Sequence, residues 1–484
     1  MAMSPQSATY FFFDRGLLNP QACENIRTHI CPAEKDGKNN PMFTEGAFET
    51  PARPWEVRYD NAYPNVIHDE ETGLYHCYYT LCTRDDDSRG VTRSERAARR
   101  YRPMGTRMTS LAYAQSRDGV HWTKPSVGRV EFEGSRENNI LFRYAHGTGV
   151  FLDREETDRR RRFKLVTKVE ASGGAVDHMA VSFSEDGVNW GPLLRWPEHN
   201  PPADSHNFPF RDPRDGLFKL ITRTWNAGVR VSSICESADF IHWSAPREIT
   251  RGTGYDDQVY SMPVFPYKGV YLGLASIFHE GDREAENFDT VDLELRYGTT
   301  TAHFDPVAPG EHLIERGPGR YPDGAFDCGC IYAAPPLRMD GRLCIYYMGG
   351  NGQHTNFRET SFGRAFVEED KFACVCPRDA QREMTVATAR VHVFGDNLEL
   401  LCDVDEGGEV SVAFYDRWDG KPYEGFDFGD CRLLPGEDGY RRIVFPRPAL
   451  DLRVPTLCVK LRARGARLYA LRGDLAVAGG RYYG

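Results

Sequence analysis

The chain has 484 residues, 40% of them hydrophobic and 12% aromatic, enough for two packed units or one repeat array with an appendage. Its 60 Lys and Arg stand against 70 Asp and Glu, a net charge of −10, which excludes a nucleic-acid surface built from clustered cations. No apolar run approaches the ~20 residues that span a bilayer, and MAMSPQSATYFFFDRGLL lacks the basic and apolar segments of a signal peptide, so the chain reads as cytoplasmic, or secreted if trimmed.

Residues 1–50 hold one strand-like run, Tyr10 to Phe13, then a polar segment, and read as an arm packed on the main domain. The stretch Trp55 to Thr80 then sets a pattern: an acid, Asp60, among Trp55, Arg58, Tyr59, Asn61 and Tyr63, a short strand, an acidic turn with Gly73, and a second alternating strand. The same unit returns four more times. Three copies end in related markers, Ser116 to Trp122, Ser184 to Trp190 and Ser237 to Trp243, with weaker ones at Tyr297 to Phe304 and Asp370 to Phe372. Asp-Gly suits a tight turn and the Trp anchors the returning strand, so Asp118, Asp186 and Asp239 are turn residues.

Ahead of the markers lie YHCYYT, RFKLVTK, LFKLITR, VYLGLAS and LCIYYMG. Five four-stranded units at a spacing of roughly 50–70 residues predict an all-β chain, a five-bladed β-propeller over 51–380. After the markers stop, alternating strands separated by Gly and Asp turns predict a small C-terminal β-sandwich over 385–484. The basic runs 96–102 and 159–162 fall between strand-like segments and read as solvated loops. The 13 cysteines follow no disulfide framework, and the pairs Cys328/Cys330 and Cys374/Cys376 read as packed strand faces rather than zinc ligands.

In a propeller, residues just before each unit's first strand converge on the axis. Aligning the units by their hairpins places Asp60, Asp204, Asp257 and Asp327 there as candidate catalytic carboxylates. Glycosidic chemistry needs such a group, one acid ionised and another protonated. Substrate contacts are expected from Trp55, Arg58, Asn61, His206, Trp225, His279, Glu280, Asn351 and His354, since aromatic and polar groups together suit a sugar ring. No metal ligand set is assigned and no cofactor is required; a structural Ca²⁺ is compatible with the acids.

The Trp55 to Tyr79 stretch and the S-x-D-G-x-x-W markers resemble the five-bladed-propeller glycoside hydrolases, the invertase-like family 32 and arabinanase-like family 43 group. DNAYPNVIHDEETGLYHCYY, DQVYSMPVFPYKGVYLGL and DCGCIYAAPPLRMDGRLCIYYMGGNGQH also resemble a poorly characterised family of bacterial glycosyl hydrolases, nearly end to end. The resemblance implies a glycosidase with Asp60 as the first-blade nucleophile or base. Phe210-Arg211-Asp212-Pro213 is similar to the R-D-P stabiliser motif, but Asp212 falls in a hairpin turn, and Asp204 is better placed for the pocket. No Glu-Cys acid/base motif occurs, since Cys235-Glu236 is reversed, which leaves Asp257, Asp327 and Glu280 as acid candidates in that order.

The expected function is cleavage of a glycosidic bond in the axial pocket of an oligosaccharide- or glycoside-binding propeller. The alternatives are a phosphorylase of the same fold, using Arg223, Arg230 and Arg358 as a phosphate cradle, and a non-catalytic carbohydrate-binding propeller. The markers are one residue shorter before Gly than the sialidase Asp-box, which argues against that class. No membrane partner is expected, and the oligomeric state is not legible.

Overall fold

A computed structural model describes residues 8–102, 105–170, 176–198, 200–416 and 420–479; residues 1–7, part of the stretch read for a targeting signal, lie outside them. The described chain is predominantly β, with several antiparallel sheets, one six-residue α-helix (Arg93–Ala98) and a few 3₁₀ turns. No described helix is long and apolar enough to cross a membrane.

Five antiparallel meanders follow one another. Sheet one comprises Asn65–Asp69, Leu74–Arg84, Met108–Ser116 and Trp122–Thr123; sheet two, Ala145–Leu152, Phe163–Val169, His178–Ser184 and Leu194–Arg195; sheet three, Phe208–Arg211, Phe218–Asn226, Val229–Ser237 and Arg247–Arg251. Sheet four is built on Asp257–Ser261, Val270–His279 and Val291–Gly298. Sheet five runs Cys330–Ala333, Arg342–Gly350 and Thr360–Glu368, and its outer edge is completed by Glu34–Lys35 and Phe43–Thr44 from the N-terminal segment.

Apolar side chains weld each sheet to the next, and the last to the first. Tyr78 and Leu111 meet Phe163 and Trp190 between sheets one and two. Val166 and Met179 meet Phe218 and Phe240 between two and three. Ile221 meets Val259 and Ile277 between three and four, and Leu274 and Leu293 meet Ile331 and Tyr347 between four and five. Cys344, Tyr346 and Phe362 meet Val66, Cys77 and Tyr79, which returns the series to sheet one. This cyclic packing is propeller-like, with no single sheet closing on itself.

The markers are part of this weld. In all three, the serine Oγ accepts the backbone N–H two and three positions on, and the aspartate Oδ1 accepts the next two. The turn needs a left-handed residue, supplied by Gly119 and Gly187 at φ 70° and 75° and, in the third copy, by Phe240 at 68°. A Cβ on Gly119 would collide with the Tyr346 hydroxyl, which donates to the Gly119 carbonyl across the sheet five to sheet one junction at 2.8 Å.

The C-terminal segment packs as a β unit around Val386, Leu400, Val412, Phe414, Leu461 and Leu468. Its long runs Met384–Tyr415 and Leu457–Val477 pair in successive stretches broken by register shifts, so that one sequence run serves more than one layer. The N-terminal segment also enters this unit: Ala8–Phe11 pairs with Leu457–Val477, and Ile26–Ile30 with Ala373–Pro377. All described cysteines are free.

In the basic run at 96–102, Arg99, Arg100 and Arg102 are exposed as expected, but Arg96 is not. Thr92 and Glu95 form a capping box that starts the short helix, and Arg96 is buried against Glu45 at 3.2 Å. Asp327, expected at the axis, is buried and takes Lys35 Nζ at 2.6 Å and Tyr347 Oη at 2.8 Å. Lys35 lies on the edge strand of the N-terminal segment, so this pair ties that segment to sheet five. Lys35→Met strands the carboxylate, and urea unfolding should find a loss on the order of 3 kcal/mol, largely recovered when Asp327→Asn is added.

Candidate active site

The turn leading into sheet one places the first carboxylate. Asp60, Ala62 and Tyr63 all take positive φ (55°, 58° and 43°), a conformation that is unfavourable for these residue types. Thr360 Oγ1 donating to the Asp60 carbonyl and Thr80 N–H donating to that of Ala62, at 2.7 and 2.6 Å, hold the kink. It sends the Asp60 carboxylate to the mouth, its side chain 23% exposed, and folds the Tyr63 ring inward.

Three arginines surround that carboxylate. Arg358 Nη2 donates to Oδ1 at 2.9 Å, Arg58 Nη2 lies 3.6 Å from Oδ1, and Arg107 Nη1 lies 3.6 Å from Oδ2. Burial alone would raise its pKa, but the attraction of Arg358, Arg58 and Arg107 outweighs this and holds the carboxyl far below its usual range. Arg358 and Arg58 are themselves buried, Arg58 lying over the Tyr101 ring at 3.9 Å.

Behind Asp60 lies an aromatic floor. Tyr63 packs edge-on to Tyr332 at 5.6 Å, Tyr332 to Tyr260 at 6.0 Å, and His354 sits 4.6 Å from Tyr260 and 4.8 Å from Phe278. The Tyr332 hydroxyl and His354 Nδ1 share a 2.9 Å hydrogen bond, and burial pushes His354 well below the ordinary histidine range, so the ring is neutral.

Paired charges ring the floor. Glu170 takes a hydroxyl hydrogen bond from Thr109 at 2.7 Å and lies 3.1 Å from His146, which, with Arg107, overcomes burial and holds it at about 2. Asp204 is bound by Arg223, whose guanidinium lies 4.5 Å from the Tyr260 ring. Glu280 is bound by Arg230 at 2.5 Å, and Arg230 lies 4.6 Å from the Trp225 ring. Asp257, 40% exposed, accepts from His279 Nδ1 at 2.6 Å, while His279 Nε2 faces Asp292 at 2.8 Å and Asp292 accepts from Arg316 at 2.7 Å. Burial opposes the charge on His279, but its hydrogen bonds with Asp292 and Asp257 raise its pKa.

Of the expected site residues, Asp60, Asp204, Asp257, Glu280, His279, His354 and Arg58 border this mouth or its charge pairs. Trp225 stands 46% exposed at its rim. Asn61 is buried, accepting from Arg358 at 2.6 Å and donating to the Tyr63 hydroxyl at 2.8 Å, so it positions rather than faces ligand. His206 is buried against Tyr63 and Asn65, its pKa pushed down to about 3 by burial. Trp55 points elsewhere, donating to Asn139 at 2.6 Å beside the buried Glu56–Tyr59–Tyr79 network. Asp327 is held away by Lys35, as described.

Asn351 donates to Glu359 at 2.7 Å and lines a cavity of about 690 Å³ beside the mouth, with Arg283, Glu286, Arg316, Tyr321 and Gln353. A neighbouring cavity of about 560 Å³ shares Arg283, Glu284, Phe288 and Gln353 and adds Arg100, Tyr101, Asp289 and Thr355. Sequence reasoning missed Arg107, His146, Tyr260, Tyr332 and Asp289. One signal was available: Asp257-x-x-Tyr260 repeats the spacing of Asp60-x-x-Tyr63. Among the described residues, no three His, Cys, Asp or Glu side chains converge to hold a metal ion.

Asp292 supplies a pH test. Burial would raise its pKa, but the His279 hydrogen bond and the charges of Arg316 and His312 hold it at about 2. A depressed carboxyl contributes stability above its unfolded pKa of about 4, lost as the pH falls through the folded value. Asp292→Asn should therefore be less stable than wild type at about pH 7, with the gap narrowing towards about pH 2 in urea unfolding curves.

No protein-family model and no curated protein sequence matches the chain. Solved structures do. A β-1,2-mannobiose phosphorylase from Listeria innocua is 13% identical, covering 72% of this chain and 98% of that one at a TM-score of 0.46. A glycosyl hydrolase from Bacteroides ovatus is also 13% identical, covering 70% and 94% at 0.45. An N-acetylgalactosamine deacetylase from F. plautii is 15% identical, covering 71% and 96% at 0.43. Scores of this size carry no functional argument, so the chemistry has to come from the site itself.

Proposed function

We propose that the five-sheet cycle is a five-bladed β-propeller carrying a small C-terminal β-sandwich, and that its axial mouth hydrolyses a glycosidic bond. The observation that carries this reading is Asp60: a part-exposed carboxylate kept ionised by three arginines at the edge of an aromatic floor. The half-exposed Trp225 at the rim offers apolar surface to a sugar ring, and the paired charges of Asp204, Glu280 and Glu170 offer acceptors and donors to its hydroxyls. These carboxylates also complement the positive charge that develops on the sugar in an oxocarbenium-like transition state.

Asp60 either attacks the anomeric carbon or takes a proton from the water that does. Its arginines restrain its basicity while the mouth is empty. Of these, Arg107 is part-exposed and stands at 3.6 Å, beyond hydrogen-bond distance, so a substrate hydroxyl can draw it off and release the carboxylate for reaction.

A phosphorylase is the second reading, and one observation favours it. Arg223, Arg230 and Arg358 all lie within electrostatic reach of His354. Among the described residues, Nε of Arg230 and of Arg358 is buried without a hydrogen-bond partner. A phosphate in place of attacking water would satisfy such donors.

The test is turnover of a panel of aryl glycosides and oligosaccharides, with and without inorganic phosphate, by wild type and Asp60→Asn. Phosphate-independent release of a sugar by wild type, reduced on the order of 10³-fold in a folded Asp60→Asn, supports hydrolysis. Release only with phosphate moves the assignment to the phosphorylase. An inert panel, with one sugar raising the melting temperature, leaves a binding propeller.

A further inference from the structure

The four expected catalytic acids share one feature: each contacts a cationic or cation-forming partner. Asp60 has Arg358, Asp204 has Arg223, Asp327 has Lys35, and Asp257 has His279; Glu280 likewise has Arg230. For Asp60 and Asp204 these partners favour the ionised form, whereas a general acid must arrive protonated.

Asp289 differs. It is 4% exposed and is the buried carboxyl among the residues lining either of the two cavities. Its carboxyl partners are both from Thr355: the backbone N–H to Oδ1 at 3.0 Å and the hydroxyl with Oδ2 at 2.7 Å. No described cationic side chain forms an ion pair with it. The backbone fixes it from both sides, with φ at 60° and the His354 N–H donating to its carbonyl at 2.6 Å. His354 in turn gives its own carbonyl to Arg358, the guanidinium that holds Asp60. One buried arginine thus contacts the Asp60 carboxylate directly and reaches the Asp289 backbone through His354.

We propose that Asp289 is the general acid of the glycosidic reaction and that the adjoining cavities hold the leaving sugar. The proposal rests on the glycoside-processing reading. As the bond between the anomeric carbon and the leaving oxygen breaks, its electron pair moves to that oxygen. The Asp289 proton is transferred there, leaving the Asp289 carboxylate, which water reprotonates in the next cycle. The groups around Asp289 fit this role: burial raises its pKa, the Thr355 hydrogen bonds and the charges of Arg358 and Arg100 counter only part of that, and Arg283 and Glu284 line the same cavity. At about 560 and 690 Å³ the cavities are in the usual range for small-ligand sites.

The experiment compares wild type with Asp289→Asn on two substrates of the same sugar: an oligosaccharide, whose leaving group needs a proton, and the 2,4-dinitrophenyl glycoside, whose leaving group does not. Asparagine tolerates the left-handed backbone at this position, which favours folding of the variant. The expected result is a loss on the order of 10³-fold in kcat/KM for the oligosaccharide and less than about tenfold for the activated glycoside, with the basic limb of the pH profile abolished. Thr355→Val, which removes one hydrogen bond to the ionised form, should shift that limb to higher pH in wild-type Asp289 and keeps the test open if Asp289→Asn does not fold. Equal losses on both substrates, or an unmoved basic limb in either variant, overturn the proposal while leaving the glycoside reading intact. A wild type inert on both substrates, with and without phosphate, overturns the reading and the proposal together.

Discussion

Arg358 is the residue on which the rest of the structure turns. Fully buried, it reaches from the loop after Arg342–Gly350 in sheet five to the turn leading into sheet one, where one nitrogen serves both Asp60 and Asn61. Its other terminal nitrogen donates to the carbonyls of Gln353 and His354. A guanidinium removed from water is costly unless its partners are fixed, and here the partners come from both ends of the repeat series. The same side chain therefore closes the cycle of sheets and sets the charge state of the candidate site.

The closing of the cycle has a second part. Sheet five lacks an outer strand of its own, and the N-terminal segment supplies it, with Phe43 packed on Phe362 and Lys35 paired to Asp327. That segment also pairs with the C-terminal unit, and Asp370 joins the two units by accepting from Tyr267, Lys268 and Tyr440, each at 2.7 Å. The mouth is thus framed by elements far apart in sequence.

The sequence made the repeats legible because they are local. A hairpin with alternating residues, a Ser-x-Asp turn and a tryptophan four positions on are short-range devices, and each of the five second strands could be read from its own residues. The substitution of Phe240 for glycine at a left-handed turn position shows how far such a device tolerates change when the following Trp243 and its neighbours bury the ring. Asp60 and Asp204 were placed by the same register argument. Asp327 obeyed the register too, but its side chain was captured by Lys35, nearly 300 positions away, which no spacing within the repeat could indicate.

By itself, then, the sequence determined an all-β chain of repeated hairpin units. Those features depend on periodicity and turn chemistry over a few residues. Only the tertiary structure decided which acids are paired with cations, because that depends on what each carboxyl meets in space. Asp60 meets arginines from positions 58, 107 and 358, whereas the Asp289 carboxyl, among the described residues, hydrogen-bonds to Thr355 and feels Arg358 and Arg100 at longer range. A pKa is set by desolvation and by neighbours within a few ångströms, and those neighbours are chosen by packing rather than by order along the chain.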